Sequence, residues 1–98
     1  MVPMNPRLLR PTKRKPSRPG APTITLATEG DGVIWTAPVS NGGATIYEYR
    51  IYQDGYFLDA VPGSELAWLY AASPGSIYEV SAVNAVGEGS KSAPVVAT

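Results

Sequence analysis

Short alternating runs of apolar and polar residues fill the chain from residue 21 onward, and Gly, Pro, Asn and Asp separate these runs. This pattern is typical of an all-β sandwich, because successive side chains of a strand point to opposite faces of the sheet. No helical spacing of apolar residues competes with it. Seven strands are predicted, over residues 23–27, 32–36, 45–53, 56–61, 65–71, 77–85 and 93–97.

The third predicted strand shows the alternation most clearly. Tyr47, Tyr49 and Ile51 share one face, which we expect to be buried in the core. Glu48 and Arg50 share the opposite face. The strand is therefore expected to lie on the surface of the sandwich with one side in contact with the second sheet.

Turn residues stand between the predicted strands. Asp-Gly at 54–55 separates two apolar runs and predicts a type I′ hairpin, because both central residues of that turn need positive φ. Asn-Gly-Gly at 41–43 and Ser-Pro-Gly at 73–75 mark further turns. Four aromatic residues fall where inward side chains are expected, and they are candidates for the core: Trp35, Tyr49, Trp68 and Tyr78.

Two groups of residues resemble the fibronectin type III family, and together they cover the chain from Pro22 to its end. The first group matches the family's second and third strands: VIWTAP at 33–38, NGG at 41–43, then Ile46, Tyr49 and Ile51. The second matches its closing segment: PG at 74–75, Tyr78, AVN at 82–84, GEG at 87–89 and SAP at 92–94. The resemblance implies a seven-stranded immunoglobulin-like sandwich with Trp35 and Tyr49 in the core.

This chain departs from the usual spacing of the tyrosine corner in that family. The family places about eight residues between the corner tyrosine and the asparagine that matches Asn84, whereas Tyr78 lies six residues before it. Two alternatives follow. Either the sixth strand is shortened by two residues, or Ser76 occupies the corner position and Tyr78 is an ordinary inward side chain.

Residues 1–20 differ from the rest of the chain. They contain five prolines, which remove backbone donors and favour extended or polyproline conformations, so no helix is expected there. We therefore predict two parts: a basic, proline-rich N-terminal arm over residues 1–20 and a fibronectin type III-like domain over residues 21–98.

The formal net charge of zero conceals a division between these two parts. The arm contains six of the eight basic residues and no acid, so its charge is +6. The remaining residues carry two basic side chains against eight acidic ones, a charge of −6. The arm is therefore suited to an acidic partner.

Composition argues against catalysis. The chain has no cysteine and no histidine, so it lacks thiolate nucleophiles, soft metal ligands and the usual general base near neutral pH. We expect no enzyme activity, no catalytic residue, no cofactor and no metal site. No apolar stretch is long enough to span a bilayer, and the opening lacks the apolar core of a signal peptide, so a soluble, uncleaved chain is expected.

The arm is the predicted partner-binding element. Docking of an extended segment on an acidic groove or a sheet edge of another protein uses the prolines, the cations and an apolar anchor together. The candidate residues are Arg7, Leu8, Leu9, Arg10, Lys13, Arg14, Lys15 and Arg18. Nucleic acid is an alternative partner, and it would be bound without sequence preference because the arm has no aromatic residue for base stacking.

Residues 4–11, MNPRLLRP, resemble the opening of small structural proteins of tailed phages, on whose capsids and tails fibronectin type III modules recur. The two resemblances together imply a virion structural protein, assembled in the host cytoplasm. We expect a capsid-decorating or cement subunit that is anchored through its arm to the major capsid protein or another shell or tail protein.

Two alternatives remain open. One is a carbohydrate or cell-surface adhesion module that uses Tyr52, Tyr56 and Phe57 as a contact surface, unless these side chains only pack on their own hairpin. The other is self-assembly, in which the basic arm of one copy binds the acidic body of the next.

Overall fold

A computed structural model describes residues 15–27 and 32–98. Its regular secondary structure there consists of β-strands only. Within these two ranges, no helix is long and apolar enough to cross a membrane. In chain order the strands are β1 (Thr23–Leu26), β2 (Val33–Thr36), β3 (Glu48–Gln53), β4 (Tyr56–Pro62), β5 (Ala67–Trp68), β6 (Ile77–Val83) and β7 (Val95–Val96).

The seven strands form two antiparallel sheets. One sheet has the order β1-β2-β5 and the other has the order β4-β3-β6-β7. The inner faces of both sheets contribute to one hydrophobic core. The prediction of a seven-stranded, all-β sandwich is confirmed.

Aromatic side chains occupy much of this core. The rings of Trp35 and Tyr49 lie 5.4 Å apart, and those of Trp68 and Tyr78 lie 6.0 Å apart. All four side chains are buried, as predicted. The two indoles differ in their hydrogen bonds, because the Trp68 N–H donates to Asp59 at 3.0 Å whereas the Trp35 N–H finds no acceptor among the described residues.

One expectation for the third strand is wrong. Tyr49 and Ile51 are buried, but the side chain of Tyr47 is 55% exposed. The reason is that β3 begins one residue after Tyr47, so the alternation of the strand does not extend to this side chain. Ile46 packs against the core instead.

The β3–β4 hairpin has the predicted turn. Asp54 has φ of 52° and Gly55 has φ of 87°, so both central residues are in the positive region that a type I′ turn requires. The Asp54 carboxylate also accepts a hydrogen bond from the Ile77 N–H at 2.9 Å. The turn is thereby attached to the start of β6.

Tyr78 makes the tyrosine-corner hydrogen bond. Its hydroxyl oxygen accepts from the backbone N–H of Ser73, five residues upstream, at 2.9 Å. The Ser76 hydroxyl accepts a hydrogen bond from the Gln53 side chain and does not take this role. Of the two alternatives left open by the sequence, the structure therefore selects Tyr78.

The fifth strand is much shorter than the predicted seven-residue run. Only Ala67 and Trp68 belong to β5, which pairs with the first half of β2. The residues that follow run along the side of the sandwich without strand pairing, and Leu69 and Tyr70 are exposed there. This short strand leaves open the space beside β4 that is described below.

Candidate interaction surfaces

Polar side chains cover the outer face of the four-stranded sheet. Arg50 and Tyr52 of β3 and Ser81 of β6 point away from the core, and each donates a hydrogen bond to the carboxylate of Glu88 in the loop after β6. Arg50 also forms an ion pair with Glu48, with 2.7 Å between Nε and Oε2. We call these five residues the outer-face network, and it fastens the β6–β7 loop to the sheet.

The network shifts the ionisation of two of its members, Glu88 and Tyr52. Burial opposes ionisation of Glu88, but hydrogen bonds from Ser81 and Tyr52, together with the charges of Arg50 and Lys91, outweigh it and lower the pKa of this carboxyl. Burial, reinforced by the hydrogen bond to Glu88, raises the pKa of the Tyr52 hydroxyl. Near neutral pH the carboxylate is therefore charged and the phenol is neutral.

Residues 17–20, which we call the root segment, lie between the β2–β3 loop and the β6–β7 loop. The Ser17 N–H donates to the Gly42 carbonyl at 2.8 Å, and the Gly20 N–H donates to the Ser40 carbonyl at 3.0 Å. The buried side chain of Asn84 donates to the Ser17 carbonyl at 2.6 Å. The last four residues of the predicted arm are thus attached to the sandwich by hydrogen bonds at both ends, at Ser17 and Gly20.

Two glycines let the root segment come this close. A Cβ atom at Gly89 would lie 2.1 Å from the carbonyl oxygen of Pro19, whose side chain is buried, and a Cβ atom at Gly42 would lie 2.0 Å from that of Ser17. Any side chain larger than hydrogen would displace the backbone of the root segment. Glycine at these positions therefore maintains the docked segment.

A groove opens on the side of the sandwich between β4 and the chain that follows β5. We call it the edge groove and define it by Leu58, Asp59, Trp68 and Tyr70. Leu58 is 39% exposed and Tyr70 is 64% exposed, and the Tyr70 ring lies 5.2 Å from the Trp68 ring. The groove is therefore lined by apolar and aromatic side chains around a single carboxylate.

The comparisons with known proteins establish the fold. No protein-family model and no curated protein matches the sequence. Among solved structures, the sixth fibronectin type III domain of human fibronectin type III domain containing protein 3 is 27% identical, with a TM-score of 0.54 over 87% of this chain and 86% of that one. The chain has a fibronectin type III-like fold. Titin domains A168–A170 are also similar, with a TM-score of 0.59 and 19% identity over 83% of this chain, which spans 32% of that fragment.

A fibronectin type III-like sandwich suggests a protein-interaction module, and domains of this fold are typically non-enzymatic. Within the described residues, no three His, Cys, Asp or Glu side chains are grouped so that they could hold a metal ion. The features that remain as candidates for function are surfaces, namely the root segment with its arm, the outer face of the sheet and the edge groove.

The structure describes two of the eight predicted partner-binding residues of the arm. Lys15 and Arg18 are both exposed, and Arg18 lies along Gly87 of the β6–β7 loop. The other six, Arg7 to Arg10 with Lys13 and Arg14, lie outside the described residues.

The three aromatic residues of the predicted contact surface are not brought together. Tyr52 and Phe57 pack edge to face at 6.0 Å on the outer face of the sheet, and the Lys91 ammonium lies 4.0 Å above the Tyr52 ring. Tyr56 is 79% exposed and, as the residue before Phe57 in β4, points to the opposite face. They therefore do not form one shared surface.

The edge groove was not anticipated from the sequence. A signal was present, because residues 66–72, LAWLYAA, are continuously apolar, and a strand with one solvated face should alternate. Such a run has more apolar side chains than one core face can bury. The excess is what lies exposed beside β4.

Proposed function

We propose that this chain is a non-enzymatic protein-interaction module that binds a partner protein through its N-terminal arm while the sandwich projects from the partner. The observation that carries the proposal is the docked root segment, combined with the separation of charge between an arm of +6 and a body of −6. A basic segment that leaves a rigid domain from one fixed point is suited to reach an acidic partner surface.

The root segment decides which end of the domain faces the partner. It is hydrogen-bonded to Gly42 in the β2–β3 loop and to Asn84 after β6, so the arm leaves from that end of the sandwich. A partner that holds the arm therefore lies near these two loops. The fully exposed side chain of Val39, in the β2–β3 loop, is positioned to touch it.

The finer proposal is a virion structural protein of a tailed phage, a capsid-decorating or cement subunit assembled in the host cytoplasm. Its support is the resemblance of residues 4–11 to small phage structural proteins and the recurrence of fibronectin type III modules on such particles. In this role the cations would guide docking onto an acidic shell protein, the prolines would lower the entropy lost on ordering, and Leu8 and Leu9 would fill an apolar notch.

The test uses the cells that naturally produce the chain. A tagged full chain and a variant lacking residues 1–16 are expressed there, and the lysates are separated on a density gradient. The full chain is expected to sediment with large particles and the shortened chain to stay at the top. Added salt should weaken attachment because it screens the arm's cations, while Leu8→Ser with Leu9→Ser should weaken it at every salt concentration.

The shortened variant keeps the root segment, so it preserves the hydrogen bonds to Gly42 and Asn84 and serves as a folded control. If the shortened chain sediments with the particles as the full chain does, the arm is not the anchor. If neither chain is found with particles, the virion role is wrong.

A further inference from the structure

Asp59, at the floor of the edge groove, is a half-buried carboxylate with neutral hydrogen-bond partners only. Its two oxygens accept from the Ala60 N–H at 2.8 Å and from the Trp68 indole N–H at 3.0 Å. The ion pairs within residues 15–27 and 32–98 both belong to Arg50, so no cation there compensates Asp59. A carboxylate has about four acceptor sites, so this one can still receive a cationic donor.

The surroundings of Asp59 specify what kind of cation fits. Leu58 and Tyr70 flank it with exposed apolar surface, and the Trp68 ring forms the wall. Aromatic grooves with a carboxylate are how proteins hold extended, proline-containing segments that carry a basic residue. An isolated ammonium ion or a polyanion would leave the apolar surface uncovered.

The arm of this chain has the matching chemistry. In polyproline II form, with three residues per turn, Arg7, Arg10 and Lys13 would share one face, and Leu8 and Pro11 would share the next. The first face would then present a guanidinium to Asp59, and the apolar side chains of the second face would pack against the rings of Trp68 and Tyr70.

We propose that the edge groove receives the N-terminal arm of a second copy of this chain. The inference rests on the proposed function, in which the arm is the binding element, and it names one partner of that arm. Body and arm carry opposite charges of −6 and +6, so approach of the two is electrostatically favoured.

A second copy is named as the occupant because the arm and the groove lie toward different ends of the sandwich. The arm leaves beside Asn84, just past the end of β6, whereas the groove lies toward the far end of β3. An arm that continued away from its own sandwich would meet the groove of a neighbouring copy. To enter its own groove, the arm would have to turn back along the sandwich.

Such a contact joins two different surfaces, the arm of one copy and the groove of the next. It is therefore a heterologous contact, which continues into chains or closes into rings. On a particle, it would link neighbouring subunits to one another. In solution, it predicts oligomers that grow with protein concentration and dissociate with salt.

The experiment uses the indole N–H signals of the full chain in a proton–nitrogen NMR spectrum. Trp68 reports the groove, because its N–H donates to Asp59, and the buried Trp35 is an internal control. The spectrum is recorded during dilution, and the mass is measured by light scattering at the same concentrations. A synthetic peptide of residues 1–15 is then added to the unchanged full chain.

Matched substitutions identify the surface. Asp59→Asn and Tyr70→Ser alter the groove. The controls are Glu79→Gln, which removes a carboxylate elsewhere, and Tyr47→Ser, which removes another exposed tyrosine. We expect the groove variants to weaken self-association at least about tenfold and the controls to leave it unchanged. A peptide with Arg7 and Arg10 replaced by glutamine should shift the Trp68 signal less than the natural one.

The proposal is supported if the Trp68 signal moves with concentration and peptide while Trp35 stays in place. It is overturned if the Trp68 signal responds to salt but not to concentration, since the arm then lies on its own body. It is also overturned if neither peptide nor dilution moves Trp68, even where the particle experiment shows that the arm binds. Failure of the proposed function appears separately, as attachment that survives loss of residues 1–16.

Discussion

The hydroxyl of Tyr78 joins the start of β6 to the turn that precedes it. Tyr78→Phe would leave the Ser73 N–H without its acceptor, so we expect the free energy of unfolding to fall by about 1–2 kcal/mol. Tyr49→Phe is the matched control, because the Tyr49 hydroxyl makes no hydrogen bond within the described residues. Urea denaturation of both variants measures the difference, and equal losses would argue against the corner bond.

Glu88 is a residue whose ionisation stabilises the fold. Its folded pKa lies below the ordinary value of 4.5, so this contribution is complete above that value and is lost as pH falls through the folded pKa. We expect stability to decline as pH falls below about 4.5, with a smaller decline in Glu88→Gln. Denaturation of both proteins between neutral and acidic pH tests this. Parallel curves would show that the decline arises from other carboxyl groups.

At the scale of elements, the root segment behaves as an additional edge of the sandwich. Gly89→Ala would place a methyl group against the Pro19 carbonyl, so we expect a loss of about 1–3 kcal/mol together with faster amide exchange at Ser17 and Gly20. Gly75→Ala is the control. The positive φ of Gly75 makes this substitution destabilising too, but no atom lies within 4 Å of the new Cβ, so the root segment is not displaced. Unchanged exchange at Ser17 in Gly89→Ala would contradict the docking.

The strands differ in how far their sequence pattern predicted them. β3 and β6 have long alternating runs and two neighbours each in the sheet, and the predicted elements were found at those places. β5 was overestimated because apolar content predicts burial without saying which residues find a partner strand. Only Ala67 and Trp68 pair with β2, and of the residues that follow them, Tyr70 lines the edge groove.

At the scale of the whole molecule, the root segment and the edge groove lie toward opposite ends of the sandwich. The arm leaves beside the β2–β3 and β6–β7 loops, whereas the edge groove lies toward the β3–β4 hairpin. The outer-face network has its own charges paired and holds the loop that contacts the root segment. The molecule is thus divided into a part that presents a basic segment and a part able to receive one.

The sequence by itself determined the class of fold, the hairpin at residues 54–55, the four core aromatics and the separation of charge. These are local or compositional properties: alternation, turn stereochemistry and counts of side chains need no knowledge of distant contacts. For the same reason, the sequence indicated that the arm is the basic element, and its partner residues stay a prediction.

Only the tertiary structure decided which residues meet. The exposure of Tyr47, the corner bond of Tyr78, the docking of residues 17–20 and the neutral surroundings of Asp59 all depend on residues that are distant in sequence or on where a sheet ends. Alternation assigns a side chain to a face, but burial requires a second layer above that face. Whether that layer is present is a property of the packed sandwich alone.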